Sequence, residues 1–201
     1  MGLDLTYIAG QTPLDDDEKE GLKILAIATK EELDEFEQQN IEQAIEWSLS
    51  RNFKPAQVLT EKFIKDVHRR MLGKVWKWAG SFRRTNKNIV VDKWQIPTSL
   101  KTLLDDTQFW IAHHTFPAAE TAIRFKHRLV SIHCFANGNG RHSRLMADIL
   151  IRALDKQTEF SWGTGDLTHK SPFRDTYLSA VKAADKGDIV PLINFANPAQ
   201  R

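Results

Sequence analysis

Residues 133–144, His-Cys-Phe-Ala-Asn-Gly-Asn-Gly-Arg-His-Ser-Arg, hold the densest set of chemically able groups in the chain. An imidazole such as His133 ordinarily titrates near pH 6.5, so it can take a proton at neutral pH. Gly138-Asn139-Gly140 is a turn sequence, because glycine and asparagine accept backbone angles that other residues resist. Arg141 and Arg144 stand three residues apart, on neighbouring positions of a helix face, and guanidinium groups suit two-pronged contacts to phosphate oxygens. A helix starting at the turn would add unpaired N–H groups and partial positive charge. The combination fits a polyphosphate better than a single anion, with a base beside it.

Two helices must carry this loop. Ala122, Ile123, Phe125, Leu129, Val130 and Ile132 before it, and Leu145, Met146, Ile149, Leu150 and Leu154 after it, recur at helical spacing. Phe135 is expected to anchor the loop by packing inward. Thr29 and Glu32 form a capping box ahead of a run that carries Leu33, Phe36, Ile41, Ala44, Ile45 and Leu49. Further helices are predicted at about 60–72, 99–114, 119–132, 141–155, 171–184 and 187–196. Between Val75 and Pro97, aromatic and β-branched residues surround Gly80 and Asn86-Lys87-Asn88, which reads as a short hairpin. The fold class is mainly α, with one short β-hairpin.

A chain of 201 residues can bury a full core, and 41% hydrophobic with 27% charged residues describes a soluble globular protein. No apolar run approaches the roughly 20 residues of a membrane span. The N-terminal Met-Gly-Leu-Asp-Leu-Thr has no signal-peptide pattern, and the single cysteine cannot form an internal disulfide, so a cytoplasmic location is expected. Cys134 reads as a packing residue. The net charge of +2 hides an asymmetry: twelve acidic residues lie between Asp15 and Glu46, and nine basic ones between Lys65 and Lys93. Most of these are solvated, but the pattern can also place an acidic N-terminal region against a basic active-site face. His113, His114 and His127 lack the spacing of metal ligands. Arg69, Arg70, Arg83, Arg84 and Lys87 form a basic region without a nucleic-acid motif, so direct nucleic-acid binding is disfavoured.

The loop resembles the signature of the Fic (Fic/Doc) family, His-x-Phe-x-Asp/Glu-Gly-Asn-Gly-Arg-x-x-Arg. The resemblance implies a Fic-type helical bundle with a hairpin flap, and an activity that moves AMP from ATP, the co-substrate, to a hydroxyl of a target protein. His133 would be the general base. Backbone N–H groups of Gly138, Asn139 and Gly140, with Arg141, would hold the α- and β-phosphates, and Arg144 would reach the γ-phosphate. Asn137 stands where the family has the acidic residue that binds Mg²⁺. A neutral amide forfeits an ion–ion attraction of roughly 4 kcal/mol per unit charge pair ~4 Å apart at an effective dielectric of about 20, so Mg is expected to bind weakly.

Trp78-Ala79-Gly80 and Phe82-Arg83 resemble the segment leading into the Fic flap, which would run from about Asn86 to Trp94 with Ile89, Val90 and Val91 at its core. Such a flap pairs with an extended target segment by β-strand addition. Many relatives carry an inhibitory Ser/Thr-x-x-x-Glu-Gly/Asn helix whose glutamate pairs with the second arginine. Glu20-Gly21 is the one match to its end, with Asp16 in place of Ser or Thr, which makes Glu20 a candidate inhibitory residue facing Arg144 and Asp16 a candidate N-cap. Residues 1–54 would form an N-terminal helical region with a regulatory role open to it, packed as one domain with a catalytic core at 55–201. Thr12-Pro13-Leu14, the Val75–Pro97 region and the loop together look most like the mobile mystery protein B subgroup. That subgroup is encoded beside a helix-turn-helix protein, which implies such a partner and a toxin–antitoxin-like pairing. Two alternatives stay open: transfer of another phosphate-containing group, against which Gly140 and Arg144 speak, and a nucleotide- or partner-binding protein with little catalysis.

Overall fold

In the computed structural model, which describes residues 12–87, 91–163, 165, 167 and 170–196, the chain is a bundle of helices. They are α1 (Asp16–Lys19), α2 (Lys30–Leu49), α3 (Pro55–Val58), α4 (Glu61–Leu72), α5 (Ile96–Ala112), α6 (Ala118–Ile132), α7 (Asn139–Leu154), α8 (Pro172–Asp185) and α9 (Val190–Ala196). Each predicted helix is present, with ends within a few residues of those expected from periodicity. The pair α6 and α7 is the centre: α5 and α9 pack on α6, α4 and α3 pack on α7, and α2 covers α4. One apolar core runs from Leu14, Leu33 and Ile41 through Ile64, Met71 and Leu100 to Phe125, Phe135 and Met146, so segments on both sides of residue 54 share it. A smaller cluster joins Ile123 to Tyr177, Ala180, Leu192 and Ala196.

The start of α2 follows its sequence signal. The Thr29 hydroxyl accepts from the Glu32 amide at 3.2 Å, and the Glu32 carboxylate accepts from the Thr29 amide at 3.1 Å. Its buried face differs from the apolar run. Leu33, Glu37, Asn40, Ile41, Ala44 and Ser48 face inward, while Phe36, Ile45 and Leu49 are exposed. Positions 33, 37, 40, 44 and 48 form one stripe at helical spacing, and 36, 45 and 49 fall beside it. The helix is rotated toward three polar side chains because two of them have partners on the facing elements.

Between α4 and α5 the backbone runs without a named strand among the described residues. Leu22 and Trp76 form an isolated antiparallel bridge, with Lys23 N–H donating to Val75 O at 2.8 Å and Lys77 N–H to Gly21 O at 2.8 Å. Ile89 and Val90, two of the three core residues of the expected flap, lie outside the described residues; Val91 is half-buried.

Candidate active site

The loop between α6 and α7 is set by two left-handed residues. His133 ends α6 at φ 54°, and Gly138 precedes α7 at φ 76°, where a Cβ would come within 2.6 Å of Leu72 Cδ1. The His142 amide makes the first bond of α7, to Gly138 O at 2.9 Å, so the amides of Asn139, Gly140 and Arg141 precede the helical ladder. The Gly138 amide instead donates to its neighbour, Asn137 Oδ1, at 2.5 Å. The buried Asn139 side chain closes the loop across Phe135, accepting from its N–H at 3.0 Å and donating to its carbonyl at 2.8 Å. Gly140 differs from Gly138, since a Cβ there would meet nothing nearer than Arg144 Nη1 at 4.0 Å. The fold leaves space at Gly140 that it does not itself need.

A second histidine supports the loop from below. His68 Nδ1 accepts from the Gly80 amide at 3.0 Å, which leaves Nε2 to carry the proton and donate to Asn137 O, 3.0 Å away. Its ring stacks on Phe135 with centroids 3.7 Å apart. Burial holds His68 well below the usual imidazole range and brings the neighbouring His142, which bonds Ile64 O at 3.0 Å, down to about 4. The loop therefore rests on two neutral rings.

Arg83 fixes the loop from the other side. This nearly buried guanidinium donates to His133 O at 2.8 Å, to Thr85 O at 2.9 Å and to Val91 O at 2.5 Å, while its amide donates to Cys134 O at 2.9 Å. One side chain thus joins His133 to Thr85, just before the expected flap, and to Val91 within it. The His133 ring is lowered to about 4, first by burial and then by the positive charges of Arg83 and Lys87, against the pull of the Val130 carbonyl. At neutral pH it is uncharged. A ring N–H directed at Val130 leaves Nε2 as the acceptor, and Thr12 Oγ1 lies 3.2 Å from that atom.

The two arginines have different surroundings. Arg141 Nη2 pairs at 2.6 Å with the buried Glu37 carboxylate, whose other oxygen accepts from Trp76 Nε1 at 2.6 Å. Arg144 lies over the ring of Tyr177, 5.5 Å from its centroid, on a ring that also faces the buried Lys126 ammonium at 4.7 Å. One turn along α7, burial pushes the Asp148 carboxyl up to about 7, although Trp162 Nε1 donates to it at 2.7 Å.

Other sequence-derived sites fall as follows. Glu20 is exposed beyond the end of α1. The N-cap of α1 is Asp15, one residue before Asp16. Asp15 and Glu18 pair with Lys87 at 2.8 and 2.5 Å, so acidic residues of the N-terminal region do meet the basic segment. Cys134 is buried, which pushes its thiol up to about 12, and His127 bonds Asp185 at 2.8 Å. Arg69 and Arg70 line a separate groove of about 480 Å³ between α2 and α4, with Lys23, Lys74 and Lys77. The sequence carries no chemical signal for His68, Glu37 or Thr12, and marks Arg83 only as one member of a basic region. Arg83 and Thr12 lay inside recognisable segments, whereas His68 and Glu37 sit in ordinary helical runs that carry no signal.

The Fic/DOC family model matches residues 58–151, a span that contains α4, the flap region, α6 and most of α7. The chain is 30% identical over 142 residues to Protein adenylyltransferase Fic of Aedes aegypti, and 32% identical over 143 residues to that of Culex quinquefasciatus. Each match takes in 68% of this chain and 27% of the relative, so the chain spans about a quarter of those proteins. Among solved structures, the N-terminal Fic domain of a putative cell filamentation protein from Bartonella quintana superposes with a TM-score of 0.65 at 18% identity, over 86% of this chain and 84% of that one. The BepC protein of Bartonella tribocorum, solved with AMPPNP, gives 0.64 at 19% identity over 92% and 97%. The family model takes in the loop near the end of its matched span, and the relative from Aedes aegypti is 30% identical over 68% of the chain, so the chain belongs to the Fic/DOC family.

Proposed function

We propose that the chain is a protein adenylyltransferase that moves AMP from ATP to a hydroxyl of a target protein. The observation that carries this reading is the unfilled space at Gly140, bordered by Arg144 and the leading amides of α7, with an uncharged His133 at the other end of the same loop. The relatives named as adenylyltransferases support it. His133 Nε2 takes the proton of the target hydroxyl as its oxygen attacks the α-phosphorus, and pyrophosphate leaves. Charge that develops on the phosphates is met by the amides of Asn139, Gly140 and Arg141 and by Arg144. Arg141 already shares its charge with Glu37, so Arg144 carries the larger part of the phosphate tail. The target lies along the flap at Ile89–Val91, and Arg83 ties Val91 to Thr85 and to His133. A helix-turn-helix protein is the further partner that the subgroup resemblance implies.

Magnesium fits this loop poorly. Asn137 is neutral, its side-chain oxygen is engaged by the Gly138 amide, and no cluster of three or more His, Cys, Asp or Glu able to hold a metal occurs among the described residues. No step is routed through the metal. Inhibition by Glu20 would require that residue to leave its exposed place and reach Arg144.

A second reading, a nucleotide-binding protein with little turnover, draws support from the same engaged Asn137. Transfer from α-labelled ATP in a host-cell lysate separates the two, run with wild type, His133→Ala and Asn137→Asp and followed by mass spectrometry of marked bands. Label with wild type that vanishes in His133→Ala supports the enzyme. Bound ATP without label in wild type and Asn137→Asp alike supports the binding protein.

A further inference from the structure

A hydroxyl of the chain itself lies against the His133 ring. Thr12 Oγ1 stands 3.2 Å from His133 Nε2, within the reach a general base needs toward the proton it removes. The contact joins positions 121 residues apart, and the segment after Thr12 is held in place by several bonds. Lys87 Nζ donates to Pro13 O at 3.1 Å, to Asp15 at 2.8 Å and to Glu18 at 2.5 Å, and the Thr85 hydroxyl bonds Glu18 at 3.1 Å. Leu14 is buried in the main core. Residues 12–18 therefore lie along Thr85 and Lys87 at the entry to the flap, where a target segment would lie.

We propose that Thr12 is a self-modification site, its hydroxyl taking the place of a target hydroxyl at His133 and accepting AMP within the same chain. The inference rests on the adenylyltransferase reading and uses ATP as donor. A bond forms between Thr12 Oγ1 and the α-phosphorus, and the bond from that phosphorus to the oxygen bridging the β-phosphate breaks. Pyrophosphate departs with the electron pair, and the Thr12 proton passes to His133 Nε2. The product is a phosphodiester joining Thr12 to adenosine. Because acceptor and base belong to one molecule, the reaction is first order in protein.

The test incubates the purified full chain with α-labelled ATP and maps the label by peptide mass spectrometry, with a host-cell lysate assayed in parallel. The expected result is one AMP per chain on the peptide containing Thr12, at a fractional rate unchanged by dilution. Thr12→Ser keeps the label, and Thr12→Val and His133→Ala lose it from that peptide. Label on lysate proteins without label on Thr12 overturns the inference and leaves the adenylyltransferase reading standing. Label on the chain that persists in Thr12→Val, or a rate that falls with dilution, also overturns it. No label on any protein overturns both.

Discussion

The α6–α7 loop and the inward stripe of α2 bury polar groups in opposite ways. The loop closes its turn from within, where Asn139 bonds Phe135 across four residues, Asn137 bonds the next amide and His142 bonds Gly138, and only then takes remote support from His68 and Arg83. The stripe depends on distant partners. Glu37 needs Arg141, 104 positions away, and Trp76, 39 positions away. A loop whose bonds are local is readable from a short sequence window, while a stripe whose partners are remote reads as a miscellany of polar residues on a helix.

If the loop holds the chemistry and the stripe the support, His133→Ala should separate them most sharply. Loss of a general base is expected to lower transfer by about 10²–10⁴-fold, measured with α-labelled ATP, while the thermal midpoint changes little. A comparable loss of stability would mean that the loop is itself structural.

Glu37→Leu attacks the stripe. It leaves Arg141 and the Trp76 N–H without their partner, and removing one member of such a buried pair costs about 3–5 kcal/mol. A urea unfolding curve should show it. A double-mutant cycle with Arg141→Met would recover much of that cost if the pair is the cause.

Acidification tests both regions together. Burial holds His133 and His142 near 4 and His68 well below its usual value, whereas in the unfolded chain they titrate near 6.5. Between those limits the unfolded chain binds more protons, so stability falls as pH drops from about 6.5 toward 4. Asp148 acts in the other direction, because its carboxyl is raised to about 7 and its contribution is lost as pH rises through the same range. Three histidines against one carboxyl leave the unfolded chain with the net excess of protons, so acid destabilises the fold over this range. Unfolding midpoints across that range measure the slope, and Asp148→Asn should steepen it.

Gly138→Ala forces a Cβ into a left-handed residue against Leu72 and is expected to cost about 1–3 kcal/mol. The smallest effect belongs to Phe36→Ser on the outward side of α2. At 41% exposure it should change stability by less than about 0.5 kcal/mol in a thermal melt. A larger loss would show that the apolar run is buried by something outside this chain.

Periodicity located the helices well: runs expected at 60–72 and 119–132 correspond to Glu61–Leu72 and Ala118–Ile132. It misjudged the rotation of α2, because counting apolar residues gives no weight to a glutamate with a buried ion pair. His68 was hidden for a related reason. Its importance lies in the Gly80 amide on one nitrogen and the Asn137 carbonyl on the other, and neither is near it in sequence. Arg83 lay in a segment already linked to the flap, but its bonds to His133, Thr85 and Val91 follow from the chain's path.

The amino-acid sequence by itself determined the helices, the turn between α6 and α7, and the joining of an imidazole to a glycine-containing helix start that carries two arginines, because these depend on spacing and on backbone preferences over a few residues. The tertiary structure decided which arginine is paired and which lies over Tyr177, which face of α2 is inward, and that Thr12 meets His133. Those outcomes depend on contacts between residues up to 121 positions apart, which form when helices dock and buried charges and hydroxyls must find partners.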